Sequence, residues 1–253
     1  MRQAPAWLAA AALLAVTGCG GGGEAASPRC TAAVPGRAAL SLAPEQALNA
    51  ATIAGVGKRL GLPDHAVTVA LVTALQESGL HNLSYGDRDS LGLFQQRPSQ
   101  GWGAPAQILV PRLAAATFYA HLAKVPGWQS MDVTVAAQAV QHSAAPAAYA
   151  QWESQARVLA GALTGEFPAG LACAHLAQPT PLRAAALREE AAADLGPDGL
   201  GARGGNALWA AATWLVAHAQ VYGVRTVTAG TRRWDAASGA WRPRGQAGPL
   251  SFG

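Results

Sequence analysis

The sequence predicts a mainly α fold, with a short extended or looped floor set into it and a small α+β module at the C-terminal end. Three observations carry this expectation. Between residues 44 and 163, apolar residues recur at helical spacing in successive windows, and Pro or Gly punctuates the windows at their ends. Between Leu80 and Gln100 that period lapses, and Tyr85-Gly86-Asp87 and Ser90-Leu91-Gly92 read as turns flanking short extended pieces. Past Gly223, residues 224–228 and 231–234 have strand composition around Ala229-Gly230, and Trp241 is available to close a small sheet.

In chain order, residues 1–18 carry Arg2, an apolar run over 7–16 and small residues at the end, the pattern of a secretory signal that takes no part in the fold. Val16-Thr17-Gly18-Cys19 has the form of a bacterial lipobox, which would make Cys19 the acylated first residue of the mature chain, with Gly20 to Gly23 as a flexible tether. An ordinary secretion signal with a chance cysteine is the alternative. The rest of 19–43, including Cys30, is Gly-, Ala-, Ser- and Pro-rich without apolar period and reads as linker.

The main domain is expected over 44–165. Pro44 suits a first helical turn, and Leu48, Thr52, Val56 and Leu60 repeat every four residues until Gly61 and Pro63 stop the helix. Asp64 can open the next helix, and Gly79 can close it in a left-handed cap. Further helices are expected from Pro105, over 111–125, over 132–142 and over 146–163, the last anchored by Tyr149, Trp152, Leu159 and Leu163. Residues 166–195 read as a second linker that contains Cys173 and an Ala-rich helix candidate at 182–193. Residues 196–253 form the small module, with a helix over 206–222 that Gly223 ends.

Glu77 is the candidate of greatest chemical interest. Val67, Val69, Leu71, Val72, Ala74 and Leu75 make its helix apolar on nearly every side, so its carboxyl sits at the end of a buried element. Desolvation disfavours a charged carboxylate, raises its pKa and suits it to act as a general acid near neutral pH. A surface glutamate with apolar neighbours is the bland alternative. Asp87 and Asp89 are candidates for a second carboxylate, where one would act as acid and the other as base or nucleophile. In a flexible loop the favoured reading is that they are solvated turn residues beside Arg88.

Glu77-Ser78 after an apolar helix, followed by Gly92-Leu93-Phe94-Gln95 in a loop, resembles the ES and GLxQ motifs of the lysozyme-like lytic transglycosylases, over roughly residues 44–163. The family's third motif, of AYN type, would fall at 138–143, where Val140 stands for the usual Tyr and Gln141 for the usual Asn. The resemblance implies a lysozyme-like helical domain that cleaves peptidoglycan glycan strands with Glu77 alone as acid and then base. A second carboxylate is dispensable in such enzymes because the muramic acid 6-hydroxyl attacks its own anomeric carbon. Ser78, Tyr85, Gly92, Leu93, Phe94, Gln95, Gln96, Trp102 and Gln141 are the substrate-binding candidates, by motif, hydrogen bonding or sugar stacking. A lysozyme-type hydrolase and a non-catalytic, surface-tethered peptidoglycan-binding protein are the alternatives.

Composition bounds the partners. The chain has 253 residues, 13% of them charged, with a net charge of +4, and no continuous apolar stretch beyond the first twenty positions is long enough to cross a bilayer. A pI near 9.3 favours an anionic partner such as the cell-wall surface. Helix-turn-helix, zinc-finger and aromatic-basic sheet signatures are missing, so nucleic acid is not expected. The six histidines show no metal-ligand spacing, and neither metal nor cofactor is expected. With Cys19 assigned to lipid, Cys30 and Cys173 remain to pair in an oxidising compartment. Together these readings place the protein outside the cytoplasm, membrane-anchored and facing the wall.

Overall fold

The computed structural model describes residues 26–143, 146–177 and 181–253. The expected signal segment 1–18, the expected lipid-attachment residue Cys19 and the expected tether 20–23 lie outside the described residues. The fold is mainly α: nine α-helices and two small antiparallel sheets are found among the described residues. Its centre is α2 (Asp64–Ser78), in which every residue from Ala66 to Leu75 is buried. The two hydroxyls in that run need no outside partner, because Thr68 donates to the Asp64 carbonyl at 2.9 Å and Thr73 to the Val69 carbonyl at 2.8 Å. Helices α1 (Pro44–Arg59), α4 (Pro111–Leu122), α5 (Val133–Gln141) and α6 (Glu153–Leu163) pack around it, with the short α3 (Pro105–Ile108) before α4. The α1–α4 approach depends on Gly57, where an added Cβ would lie 2.7 Å from the Tyr119 hydroxyl. That hydroxyl donates to the Ile53 carbonyl of α1 at 2.9 Å.

The helices begin and end close to where the sequence places them, with adjustments. Pro63 rather than Asp64 occupies the N-cap of α2, and Asp64 in its first turn pairs with Lys58 at 2.6 Å. Residues 146–152 form 3-10 turns before α6 begins at Glu153. Over 80–100 the extended character reduces to a single bridge between Leu91 and Gln96, the remainder being turns, irregular chain and a short 3-10 helix at Pro98–Gln100.

Among the described residues, both expected linkers contain regular structure. Residues Arg29–Ala32 (β1) and Leu40–Leu42 (β2) pair with Leu171–Ala174 (β3) in a sheet of order β2-β1-β3. Cys30, Ala32, Val34 and Leu42 are buried by it, a core contribution too short and too dispersed to register as a period. Cys30 stands opposite Cys173 in the β1–β3 register, and the two form the expected disulfide. The helix candidate of the second linker is α7 (Ala184–Leu195), which lies against α1 so closely that a Cβ on Gly55 would sit 2.9 Å from Leu195.

The C-terminal segment is not set apart from the main domain. Helices α8 (Gly205–Ala217) and α9 (Ala219–Tyr222) precede one long hairpin, β4 (Thr226–Asp235) with β5 (Ala240–Phe252). The turn lies at 236–239, not at Ala229-Gly230. Gly230, at φ +54°, marks register shifts within β4 rather than a chain reversal. One hydrophobic core runs from Cys30 through α2 to Trp214 and Trp234. Trp241 ties the hairpin to the first sheet by donating from Nε1 to the Leu171 carbonyl at 2.8 Å.

Candidate active site

Glu77 occupies the last turn of α2, and the chain fixes that turn from two sides. Gly79 (φ +61°) and Leu80 (φ +66°) reverse the backbone in the left-handed region, returning N–H groups to the Leu75 and Ala74 carbonyls. The carbonyls that this reversal exposes are then taken by α1. Gln46 Nε2 donates to Gly79 and Asn49 Nδ2 to Leu80, both at 2.8 Å. A helix end held in this way cannot fray, so the glutamate has a fixed origin.

The carboxyl itself is pulled in two directions. Burial raises its pKa, while hydrogen bonds from Tyr149 and Gln141 lower it, and the net displacement is upward. The negative end of the α2 dipole acts in the same upward direction. The Tyr149 hydroxyl donates to Glu77 Oε1 at 2.7 Å, and burial together with that bond pushes the phenol well above its ordinary range. Glu77 opens onto a cleft of about 480 Å³ whose walls include Gln95, Arg97, Trp102, His121 and Gln141. Among the lining residues Glu77 is the sole carboxyl.

The loop expected to bind substrate divides into wall and support. Gly92 (φ +74°) lies where an added Cβ would meet the Ile108 carbonyl at 2.8 Å, so glycine is required for the close approach. Leu93 and Phe94 are fully buried, and Phe94 stacks on Phe118 at 4.7 Å. Their side chains belong to the core and cannot touch a ligand. Their carbonyls are the fixing points: Ser78 Oγ donates to Leu93 at 2.8 Å, and Gln141 Nε2 to Phe94 at 2.7 Å. Ser78 and Gln141 therefore bolt the loop to α2 and α5.

Gln95 does line the cleft, held at φ +47° with Nε2 donating to the Gly92 carbonyl at 3.2 Å. Gln96 is 1% exposed and donates to the Ala114 carbonyl, which makes it an internal tie rather than a ligand contact. Tyr85 is 70% exposed and absent from the cleft walls. Trp102 is a wall residue, its ring stacked on His121 with centroids 4.0 Å apart. Burial, and then the nearby Lys124, lower the His121 pKa from its ordinary value.

Neither aspartate of the 87–89 turn lines the cleft. Asp87 is exposed, with Arg88 at 3.9 Å. Asp89 is engaged by Arg97 Nε and by the Ser99 N–H, each at 2.8 Å, and these donors hold its carboxyl far below the usual range. Among the described residues, no group of three or more His, Cys, Asp or Glu could hold a metal ion.

Tyr149, expected only as an anchor of its helix, is the partner of Glu77 that the sequence does not announce. It lies in a 3-10 turn 72 residues beyond Glu77, with no periodic signal to connect them. The chain has only four tyrosines, however. The gap left by Val140 in the third motif was reason to ask which of them supplies a hydroxyl from elsewhere. No family model matches the chain, and no curated protein matches it.

Proposed function

We propose that the protein cleaves the glycan strands of peptidoglycan by a lytic transglycosylase mechanism, with Glu77 as acid and then base. The observation that carries this reading is the single carboxyl among the described residues that line the cleft, raised in pKa by burial and held by Tyr149 and Gln141. Protonated Glu77 donates to the glycosidic oxygen between N-acetylmuramic acid and N-acetylglucosamine, and the bond from that oxygen to the muramic anomeric carbon breaks. The muramic 6-hydroxyl then bonds to that carbon, and the Glu77 carboxylate takes its proton. The product is a 1,6-anhydro end, no water is consumed, and the acid is regenerated.

A two-carboxylate hydrolysis is less well served, since Asp89 is consumed by Arg97 and Ser99 and Asp87 is in solvent. The proposed setting is extracytoplasmic, with the chain anchored to the membrane through lipid on Cys19. The test is digestion of purified peptidoglycan followed by mass analysis of the muropeptides. Anhydro ends are expected. Reducing ends would instead establish lysozyme-type hydrolysis, and tight binding without products would establish a non-catalytic binding protein. Glu77→Gln keeps the shape and removes the titrating proton, and should lower the rate by about a hundredfold or more. Undiminished cleavage by that variant would refute the assignment.

A further inference from the structure

The β4–β5 hairpin carries a concentration of charge that the cleft does not use. From residue 225 onward there are five arginines and one aspartate, a surplus of four that equals the net charge of the whole chain. Arg233 and Arg242 stand directly opposite each other in the antiparallel register, and both are exposed. Like charges in such a pair are about 5 Å apart at Cβ and repel, which destabilises the hairpin unless an anion lies between them. Arg244 follows Arg242 on the same face, about 7 Å further along the strand. Among the described residues, none of these three arginines has a carboxylate within ion-pair distance. Asp235 is the one acid nearby, and its Oδ1 already accepts the Ala237 and Ser238 N–H groups of the turn at 3.0 and 3.2 Å. Arg233, Arg242 and Arg244 border a depression of about 590 Å³. The scaffold beneath it is rigid, because Trp234 is fully buried and Trp241 is bonded to β3.

We infer that the Arg233–Arg242 pair, extended by Arg244, is a binding site for a flexible, base-free phosphodiester chain. Planar guanidinium groups match phosphate oxygens bidentately, and a row of them engages phosphates on successive units. Two rival polyanions fit less well. An anionic membrane rewards apolar insertion beside the charge, yet the exposed large apolar residues, Leu60, Tyr85, Leu113, Val135 and Val221, all lie off the hairpin. Single-stranded nucleic acid rewards aromatic faces for base stacking, and the hairpin's two tryptophans are committed to the interior and to β3. The inference is independent of Glu77 chemistry.

The probe is a linear glycerol phosphate polymer, titrated against the full chain at low and at raised salt. Arg233→Gln/Arg242→Gln should weaken binding by about tenfold or more and reduce the salt slope by about one for each phosphate no longer engaged. Arg37→Gln/Lys124→Gln removes the same charge elsewhere and should leave binding within about twofold. Arg233→Lys/Arg242→Lys keeps the charge but not the fork and should fall between the two. Equal losses in the two Gln pairs would reduce the effect to net charge and overturn the site, as would full binding by either Arg233/Arg242 variant. Binding to anionic lipid vesicles or to single-stranded DNA as tight as to the polymer would also overturn it. Thermal melts of each variant guard against misfolding. Removal of the repelling pair should leave the melting temperature unchanged or higher, and the lysine variant decides if the glutamine variant melts early.

Discussion

Asp194 and His218 should reveal themselves through opposite pH slopes when each is removed alone. Both are buried behind α1, where Asp194 Oδ2 accepts from Thr52 Oγ1 at 3.0 Å and Trp214 Nε1 at 3.1 Å and lies 3.9 Å from His218 Nε2. The charged and titratable groups around them are Arg112 of α4, whose guanidinium is 3.8 Å from Asp194 Oδ1 and 2.8 Å from Glu190, and Tyr222 of α9. Burial pushes the Asp194 carboxyl up to about 6 and, against a hydrogen bond to the Trp214 carbonyl, pushes the His218 imidazole down to about 4. The folded state holds Asp194 protons more tightly than the unfolded chain, so Asp194 costs stability as pH rises from 3.8 to 6, by about 3 kcal/mol for a gap of about two units. His218 binds protons more weakly when folded, so it costs a similar ~3 kcal/mol as pH falls from 6.5 to 4. In the wild type the two terms offset. Asp194→Asn should therefore lose about 3 kcal/mol relative to wild type between pH 7 and 4, and His218→Gln should gain about as much over the same interval. Denaturant unfolding at four pH values across that range measures both, and subtracting wild type removes the background of other carboxylates. If both variants run parallel to wild type, the two groups titrate as exposed residues do, and the account of this buried pair is wrong.

Other outcomes follow from the same structure. Tyr149→Phe removes a donor that lowers the Glu77 pKa, so the alkaline limb of the pH–rate profile should move upward and the rate near its optimum should fall. An unmoved limb would deny Tyr149 its electrostatic role. Cys30→Ala/Cys173→Ala opens a disulfide spanning 143 residues, which the chain-entropy model values at about 5 kcal/mol, and a stability loss under 1 kcal/mol by chemical denaturation would contradict it. Mass analysis of the membrane fraction should find acyl chains on Cys19, and an unacylated Cys19 in exported protein would remove the proposed anchor.

The parts of the fold legible in the sequence are those set by local physics. Helix α2 announces itself by its apolar run and its Gly79 stop, and α1 by Pro44 and a four-residue repeat. What escaped was long-range. β1 and β3 are four residues each, and they exist because they lie beside each other and are cross-linked at Cys30 and Cys173, not because either has strand periodicity. The hairpin turn was misplaced because Ala229-Gly230 has turn composition, whereas Asp235 caps the true turn through its carboxylate. In the cleft, motif spacing located Glu77, Gln95 and Gln141 but could not separate residues that face the cavity from those that support it. Leu93, Phe94 and Gln96 sit in the same loop as Gln95 and face inward. A glycine-punctuated loop has no fixed period, so sequence cannot assign its faces.

The proposed reaction asks one carboxyl to donate a proton and then to receive one, and the surroundings of Glu77 are set for both. Were burial and the α2 dipole the only influences, the acid would hold its proton too firmly to serve well as donor. Were it fully exposed to water, a carboxyl in this place would be ionised at neutral pH and have none to give. Tyr149 and Gln141 place donors against the carboxylate form, which lowers the cost of ionisation at the moment the glycosidic oxygen takes the proton. Both are independently fixed, Gln141 by its bond to the Phe94 carbonyl and Tyr149 by complete burial. The loop carrying Phe94 is in turn tied to Ser78, the residue next to Glu77. Acid, donors and cleft wall thus form a closed set of hydrogen bonds. A substitution at Ser78 or Gln141 should therefore change the rate by displacing Glu77 and the loop relative to each other, even where it leaves the carboxyl itself intact.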